Sequence, residues 1–122
     1  MASKKILVVD DELFLSEIVS VRLKTEGYDV IQATDGMEGL EKAKQENPDL
    51  IILDIMLPKM NGYEICGLLK SDPKYNKIPI ILFSARTQNE DIELGKKVGA
   101  DAYITKLFGV KELLAKVKEL IG

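Results

Sequence analysis

Five short apolar runs, each followed at once by a polar residue, constrain this chain more than any other feature. They are Ile6 to Val9, Val30 to Ala33, Leu50 to Leu53, Ile78 to Phe83 and Ala102 to Ile104. Their length and their content of β-branched side chains read as buried strands. Charged stretches of helical length separate them: Leu13 to Glu26, Met37 to Glu46, Gly62 to Ser71 and Asn89 to Val98. A fifth, Val110 to Ile121, follows the last strand. In it Val110, Leu113, Leu114, Val117 and Ile121 recur at the spacing of one helix face. Gly27, Asn47-Pro48, Asp72-Pro73 and Gly99 fall where helices should stop before strands. Strands apolar on both faces need helices on both sides, which implies parallel pairing through right-handed crossovers. The expected fold is a doubly wound α/β sandwich of (βα)₅ form. At 122 residues, with no repeat, low-complexity tract or linker, residues 1–122 are expected to form one domain.

Composition removes several classes of function. The net charge is −3 and the lysines are interspersed with acids, so there is no basic stripe to neutralise phosphates. Direct nucleic-acid binding and a membrane-surface role are therefore not expected. No apolar run approaches the ~20 residues that span a bilayer. The first run ends at once in Asp10-Asp11-Glu12, unlike a signal peptide, so a cytoplasmic location is expected. The single cysteine, Cys66, has no internal disulfide partner. Histidine is absent, which excludes a Ser-His-Asp triad, a histidine metal site and a phosphohistidine made within this chain. Chemistry must rest on carboxylates, hydroxyls and lysines.

In doubly wound sheets the ligand site lies beyond the carboxyl ends of the strands. Here those ends carry Asp10 and Asp11 after the first strand, Asp54 after the third, Ser84 after the fourth and Lys106 after the fifth. Three converging carboxylates repel one another unless a cation intervenes. Mg²⁺, which accepts few protein oxygens and keeps several waters, suits such a set, and Mn²⁺ is a workable substitute. Asp10 and Asp11 are also ordinary helix N-cap residues. Asp54 is harder to place in a bland role, because Leu50 to Leu53 precede it and Ile55 to Pro58 follow. A carboxylate so placed can attack phosphorus and form an acyl phosphate when a metal and cationic or hydroxyl groups hold the phosphoryl oxygens. Ser84 and Lys106 are the available groups. Taken singly, Ser84 also reads as a loop cap and Lys106 as a solvated surface lysine.

Ile6-Leu7-Val8-Val9-Asp10-Asp11, Leu53-Asp54-Ile55-Met56-Leu57-Pro58 with Asn61-Gly62, Ser84-Ala85 and Tyr103-Ile104-Thr105-Lys106 together resemble the response-regulator receiver family of two-component signalling, from about Lys4 to Ile121. The resemblance implies a flavodoxin-like sheet of order 2-1-3-4-5. It also implies that Asp54 is the phosphoacceptor, that Asp11, Asp54 and the Met56 backbone carbonyl bind Mg²⁺, and that Asp10 assists through water. Ser84 and Lys106 would bind the phosphoryl oxygens, and Ser84 and Tyr103 would form the switch. Met56 and Arg86 occupy positions that modulate phosphoryl lifetime in the family. The implied donor is a phosphohistidine on a histidine kinase or phosphotransfer protein. Catalysis would be limited to the receiver's own phosphotransfer and autodephosphorylation. An output target that the sequence does not name would read the switched surface, and the chain would be a monomer or a phosphorylation-dependent dimer.

One position departs from the family. Where proline usually follows the lysine, this chain has Lys106-Leu107-Phe108-Gly109. A non-proline cis bond costs roughly 2.5–4 kcal/mol, so Leu107 is expected in a trans bond, with rearrangement of the loop, Lys106 and the start of the fifth helix. Weakened signalling or an altered output surface would follow. The alternative reading is a receiver-fold docking module that works without phosphorylation. An aspartate-nucleophile phosphatase fits less well, because Met56 stands two residues after Asp54, where that chemistry needs an acid.

Overall fold

The computed structural model describes residues 3–122. Its elements alternate from β1 (Lys5–Val9) and α1 (Leu13–Thr25) through β2 (Asp29–Ala33), α2 (Gly36–Glu46), β3 (Leu50–Leu53), α3 (Gly62–Lys70), β4 (Ile80–Ser84), α4 (Asn89–Lys97) and β5 (Ala102–Thr105). A 3₁₀ turn at Lys106–Phe108 then leads into α5 (Gly109–Ile121). The sheet is parallel throughout, in the order β2-β1-β3-β4-β5. The chain thus has the doubly wound fold expected of its strand pattern.

Alternation along the strands divides the core in two. Leu7, Val9, Ile51, Leu53 and Leu82 face Ala43 of α2 and Ile65, Cys66 and Leu69 of α3. Ile6, Val8, Ile52, Ile81 and Phe83 face Val19 and Leu23 of α1 and Leu113 and Val117 of α5. Full burial of each such aliphatic side chain stabilises by roughly 1.5–3 kcal/mol. A one-residue slip of a strand would exchange the two packed faces, so the register is firmly set. That register brings the polar residues after β1, β3, β4 and β5 to one edge.

Several strand boundaries shift by one or two residues from the sequence reading: β1 and β2 begin one residue earlier, at Lys5 and Asp29, and β4 ends one residue later, at Ser84. The fourth run enters the ladder two residues later than its apolar character suggests, at Ile80. Pro79 has no N–H to give, and its contribution is a carbonyl that accepts from the Ile51 amide at 2.9 Å. β5 runs on through Thr105, paired in register with Ser84. Helix starts are fixed locally: Asp35 accepts from the Glu38 amide at 2.8 Å, and Asn61 and Glu64 form a reciprocal capping box on α3. The box sets where α3 leaves the loop that follows Asp54.

Candidate functional site

Asp54 emerges from β3 buried, at 4% exposure, with its amide donating to the Val9 carbonyl at 3.0 Å. Its Oδ1 accepts from the Ile55 amide at 2.7 Å and the Met56 amide at 3.4 Å. Its Oδ2 accepts from Lys106 Nζ at 3.0 Å. The same ammonium lies 2.9 Å from Asp10 Oδ2 and 2.7 Å from Glu12 Oε1. Lys106 thus crosses from the end of β5 to bind acids contributed by β3 and by the β1–α1 loop. The Lys106–Leu107 bond is trans, as is every peptide bond among the described residues. Leucine in the position of the usual proline has not turned the lysine away: Leu107 points outward, at 82% exposure, while Lys106 points in.

Electrostatics account for this convergence. Burial pushes the Asp10 carboxyl up, and the nearby Asp54 charge adds to it; the Glu12 amide and Lys106 oppose the rise but leave the pKa at about 6. Burial alone would depress the Lys106 ammonium, but the hydrogen bonds it donates to Glu12, Asp10 and Asp54 outweigh it and hold its pKa above the ordinary lysine value. The lysine is therefore charged throughout the physiological range.

The raised Asp10 pKa makes a prediction with a definite sign. Between the unfolded value of 3.8 and the folded value of about 6 the native state holds the extra proton. Stability from this group is thus highest in acid and falls as pH rises through that window. Asp10→Asn should stabilise the protein at pH 7.5 in metal-free buffer by roughly 1–2 kcal/mol, less than the full shift implies because the neighbouring charged groups relax around the Asp10 carboxylate. Urea titrations should show that advantage vanishing below about pH 4.

The remaining residues singled out in the sequence surround this cluster. Asp11 is exposed and, with Met56 and Arg86, lines a hollow of about 490 Å³ beside Asp54. Ser84 is fully buried, and its hydroxyl accepts from the Arg86 amide at 3.3 Å. Next to it in register, Thr105 carries a buried hydroxyl with no partner among the described residues. Tyr103 lies half-buried on the edge strand, with its hydroxyl donating to the Arg86 carbonyl at 2.9 Å. Its ring fits against Gly95, where an added Cβ would stand 3.0 Å from Cδ2. Burial, followed by the proximity of Tyr63 and Asp91, raises the Tyr103 pKa.

Glu12 is the one member of the cluster that the sequence reading missed. Carboxylate oxygens of Asp10, Glu12 and Asp54 all lie within 4.8 Å of one another. Its signal was the acid directly after Asp10-Asp11, but only the path of Lys106 shows that the side chain turns toward the site. An all-oxygen donor set of this size, with Asp11 and the Met56 segment beside it, fits a hard divalent cation such as Mg²⁺.

A family model described as the response regulator receiver domain matches residues 6–118. The chain belongs to that family. Among curated relatives, this receiver is 45% identical over 119 residues to the alkaline phosphatase synthesis transcriptional regulatory protein PhoP of Bacillus subtilis, covering 98% of this chain and 49% of that protein. It is 44% identical over 117 residues to the DNA-binding dual master transcriptional regulator RpaA of Synechocystis, covering 96% and 48%. The receiver spans about half the length of these relatives. Among solved structures it is similar to the chemotaxis protein CheY4 of Vibrio cholerae, with a TM-score of 0.90, 34% identity and coverage of 98% and 100%. It is also similar to the response regulator TrrA of Thermotoga maritima, in complex with Mg²⁺ and BeF, with a TM-score of 0.86, 38% identity and coverage of 97% and 99%. Membership makes the chain a phosphoacceptor of two-component signalling, a family phosphorylated on aspartate and supplied by histidine kinases. Among the described residues no helix is long and apolar enough to cross a membrane.

Proposed function

We propose that residues 1–122 act as one receiver domain whose phosphoacceptor is Asp54. The observation that carries this reading is the Lys106 ammonium, 3.0 Å from Asp54 Oδ2 and 2.9 Å from Asp10 at the carboxyl edge of the sheet. Asp54 Oδ1 is tied down by backbone amides, so Oδ2 is the oxygen free to attack once Lys106 turns from it to the incoming phosphoryl group. Attack on the phosphohistidine of a partner kinase or phosphotransfer protein forms the Oδ2–P bond. The P–N bond breaks, and its electron pair stays on the imidazole. Lys106 and the Ser84 hydroxyl hold the phosphoryl oxygens as charge gathers on them.

Mg²⁺, or Mn²⁺ in its place, would be held by Asp11, Asp54 and the Met56 carbonyl, with Asp10 acting through water; when bound it neutralises the acidic group and the phosphoryl charge. The same residues serve both the transfer and a slow self-dephosphorylation, so the receiver turns over only its own phosphoryl group. Ser84 and Tyr103 form the switch: movement of the Ser84 hydroxyl toward the phosphoryl group draws on the Arg86 amide, and Arg86 in turn holds the Tyr103 hydroxyl. The surface formed by α4, β5 and α5 then signals to an output partner, either as a monomer or by pairing.

Isothermal titration with MgCl₂ tests the metal half of this reading. One saturable site is expected in the unaltered receiver, and Asp11→Ala should abolish it while leaving the thermal melt intact. Absence of binding to the unaltered chain would favour a receiver-fold docking module that needs no phosphorylation.

A further inference from the structure

Thr105, the last residue of β5, buries a hydroxyl that has no hydrogen-bond partner among the described residues. An unpaired buried hydroxyl is costly, so its presence beside a functional site calls for a physical account. Its neighbour in register on β4 is Ser84, fully buried, whose own hydroxyl accepts from the Arg86 amide at a long 3.3 Å. Leu82 and Tyr103 pack on one side of the sheet, Phe83 and Ile104 on the other. Ser84 and Thr105, two residues on from Leu82 and Tyr103, therefore share a face. Neighbouring strands lie about 4.8 Å apart, a gap that hydroxyls on facing carbons bridge by rotation about χ1. β4 in turn lies between β5 and β3, the strand that leads into Asp54.

We infer that Thr105 is a positioning residue of the switch: its hydroxyl is unpaired in the resting receiver and donates to Ser84 when Ser84 turns to the phosphoryl group. The inference rests on the reading of Asp54 as phosphoacceptor and of Ser84 as the hydroxyl that meets the phosphoryl oxygens. A serine hydroxyl has a single proton to give. Once that proton points at a phosphoryl oxygen, the lone pairs of Ser84 Oγ are left to accept, and the Arg86 amide is left behind. Thr105 stands on the neighbouring strand with a proton to donate, and it breaks no hydrogen bond in doing so. The hydroxyls then run in one direction, from Thr105 through Ser84 to the phosphoryl oxygen, and each bond polarises the next. The resting state bears the unpaired hydroxyl and the phosphorylated state does not, so Thr105 tilts the balance toward the phosphorylated form. With β4 between it and Asp54, Thr105 acts only through Ser84.

The test is a double-mutant cycle on the full chain, read by calorimetric titration with beryllofluoride in the presence of Mg²⁺, a non-covalent stand-in for the phosphoryl group. The unaltered receiver is compared with Thr105→Val, Thr105→Ser, Ser84→Ala and the combined Thr105→Val and Ser84→Ala form. Valine keeps the outline of threonine without the hydroxyl, so resting stability in urea should be equal or higher. Beryllofluoride binding by Thr105→Val should weaken about three- to tenfold, the worth of one net hydrogen bond. Thr105→Ser should bind as the unaltered receiver does, and Thr105→Val should cost nothing further in the Ser84→Ala background. A disturbance passed along the chain to Lys106 would persist in that background. Undiminished binding by Thr105→Val, an equal loss in Thr105→Ser or in the Ser84→Ala background, or a fall in resting stability would overturn the inference while leaving Asp54 in its role. An unaltered receiver that takes up no beryllofluoride with Mg²⁺ would overturn both.

Discussion

Lys106→Ala should slow phosphorylation of Asp54 by about 10²–10³-fold, the usual consequence of removing one fixed charge-stabilising group from a transfer site. The group is unusually well placed for that task. Its ammonium is held above the ordinary lysine pKa by Glu12, Asp10 and Asp54, so no proton equilibrium near neutrality competes with its charge. Its side chain is 10% exposed, which limits screening by water. The substitution also leaves Asp10 and Asp54 without their shared cation, but Mg²⁺ can neutralise them, so the variant should remain folded in Mg²⁺ by circular dichroism. Initial rates with acetyl phosphate at saturating Mg²⁺ measure the effect. A rate within threefold of the unaltered receiver would remove Lys106 from the mechanism.

Gly62→Ala should destabilise the receiver by about 3 kcal/mol or more, at the upper end of what overpacking costs. A Cβ at Gly62 would overlap the Asp54 carbonyl oxygen and stand 2.8 Å from the Ile55 Cα, and both obstacles are backbone atoms. The helix can make room only by drawing away from the segment that carries the phosphoacceptor, so accurate placement of Asp54 is lost together with stability. Gly67, one turn and a half further along the same helix, is the control. Nothing lies within 4 Å of a Cβ there, so Gly67→Ala should stabilise by roughly 0.5–1 kcal/mol through helix propensity alone. Urea denaturation of the two variants should give shifts of opposite sign.

The sequence made the fold legible because its strands are apolar on both faces and its helices end at strong punctuation, such as Asn47, which adopts a left-handed conformation at the end of α2. The position of Asp54 was legible for a related reason: a charge between two apolar segments has few structural uses. Ile78 and Pro79 extended the fourth strand too far because hydropathy does not record the missing amide of proline. Glu12 went unread because its role depends on where a lysine 94 residues away points. The effect of Leu107 was open in the same way, since a rule about proline says nothing of where the neighbouring ammonium finds its best field. That field comes from Asp10, Glu12 and Asp54, which are brought together only by the pairing of β1 with β3. The contact of Arg86 with Met56 and Asp91 likewise joins three segments with no shared sequence signal.

The most direct test of the central claim is intact mass after incubation with acetyl phosphate and Mg²⁺, beside an Asp54→Ala control. A gain of one phosphoryl mass is predicted for the unaltered receiver, lost on chelation of the metal and absent from Asp54→Ala. No gain in the unaltered receiver, or an equal gain in Asp54→Ala, would contradict the assignment of Asp54 as the phosphoacceptor.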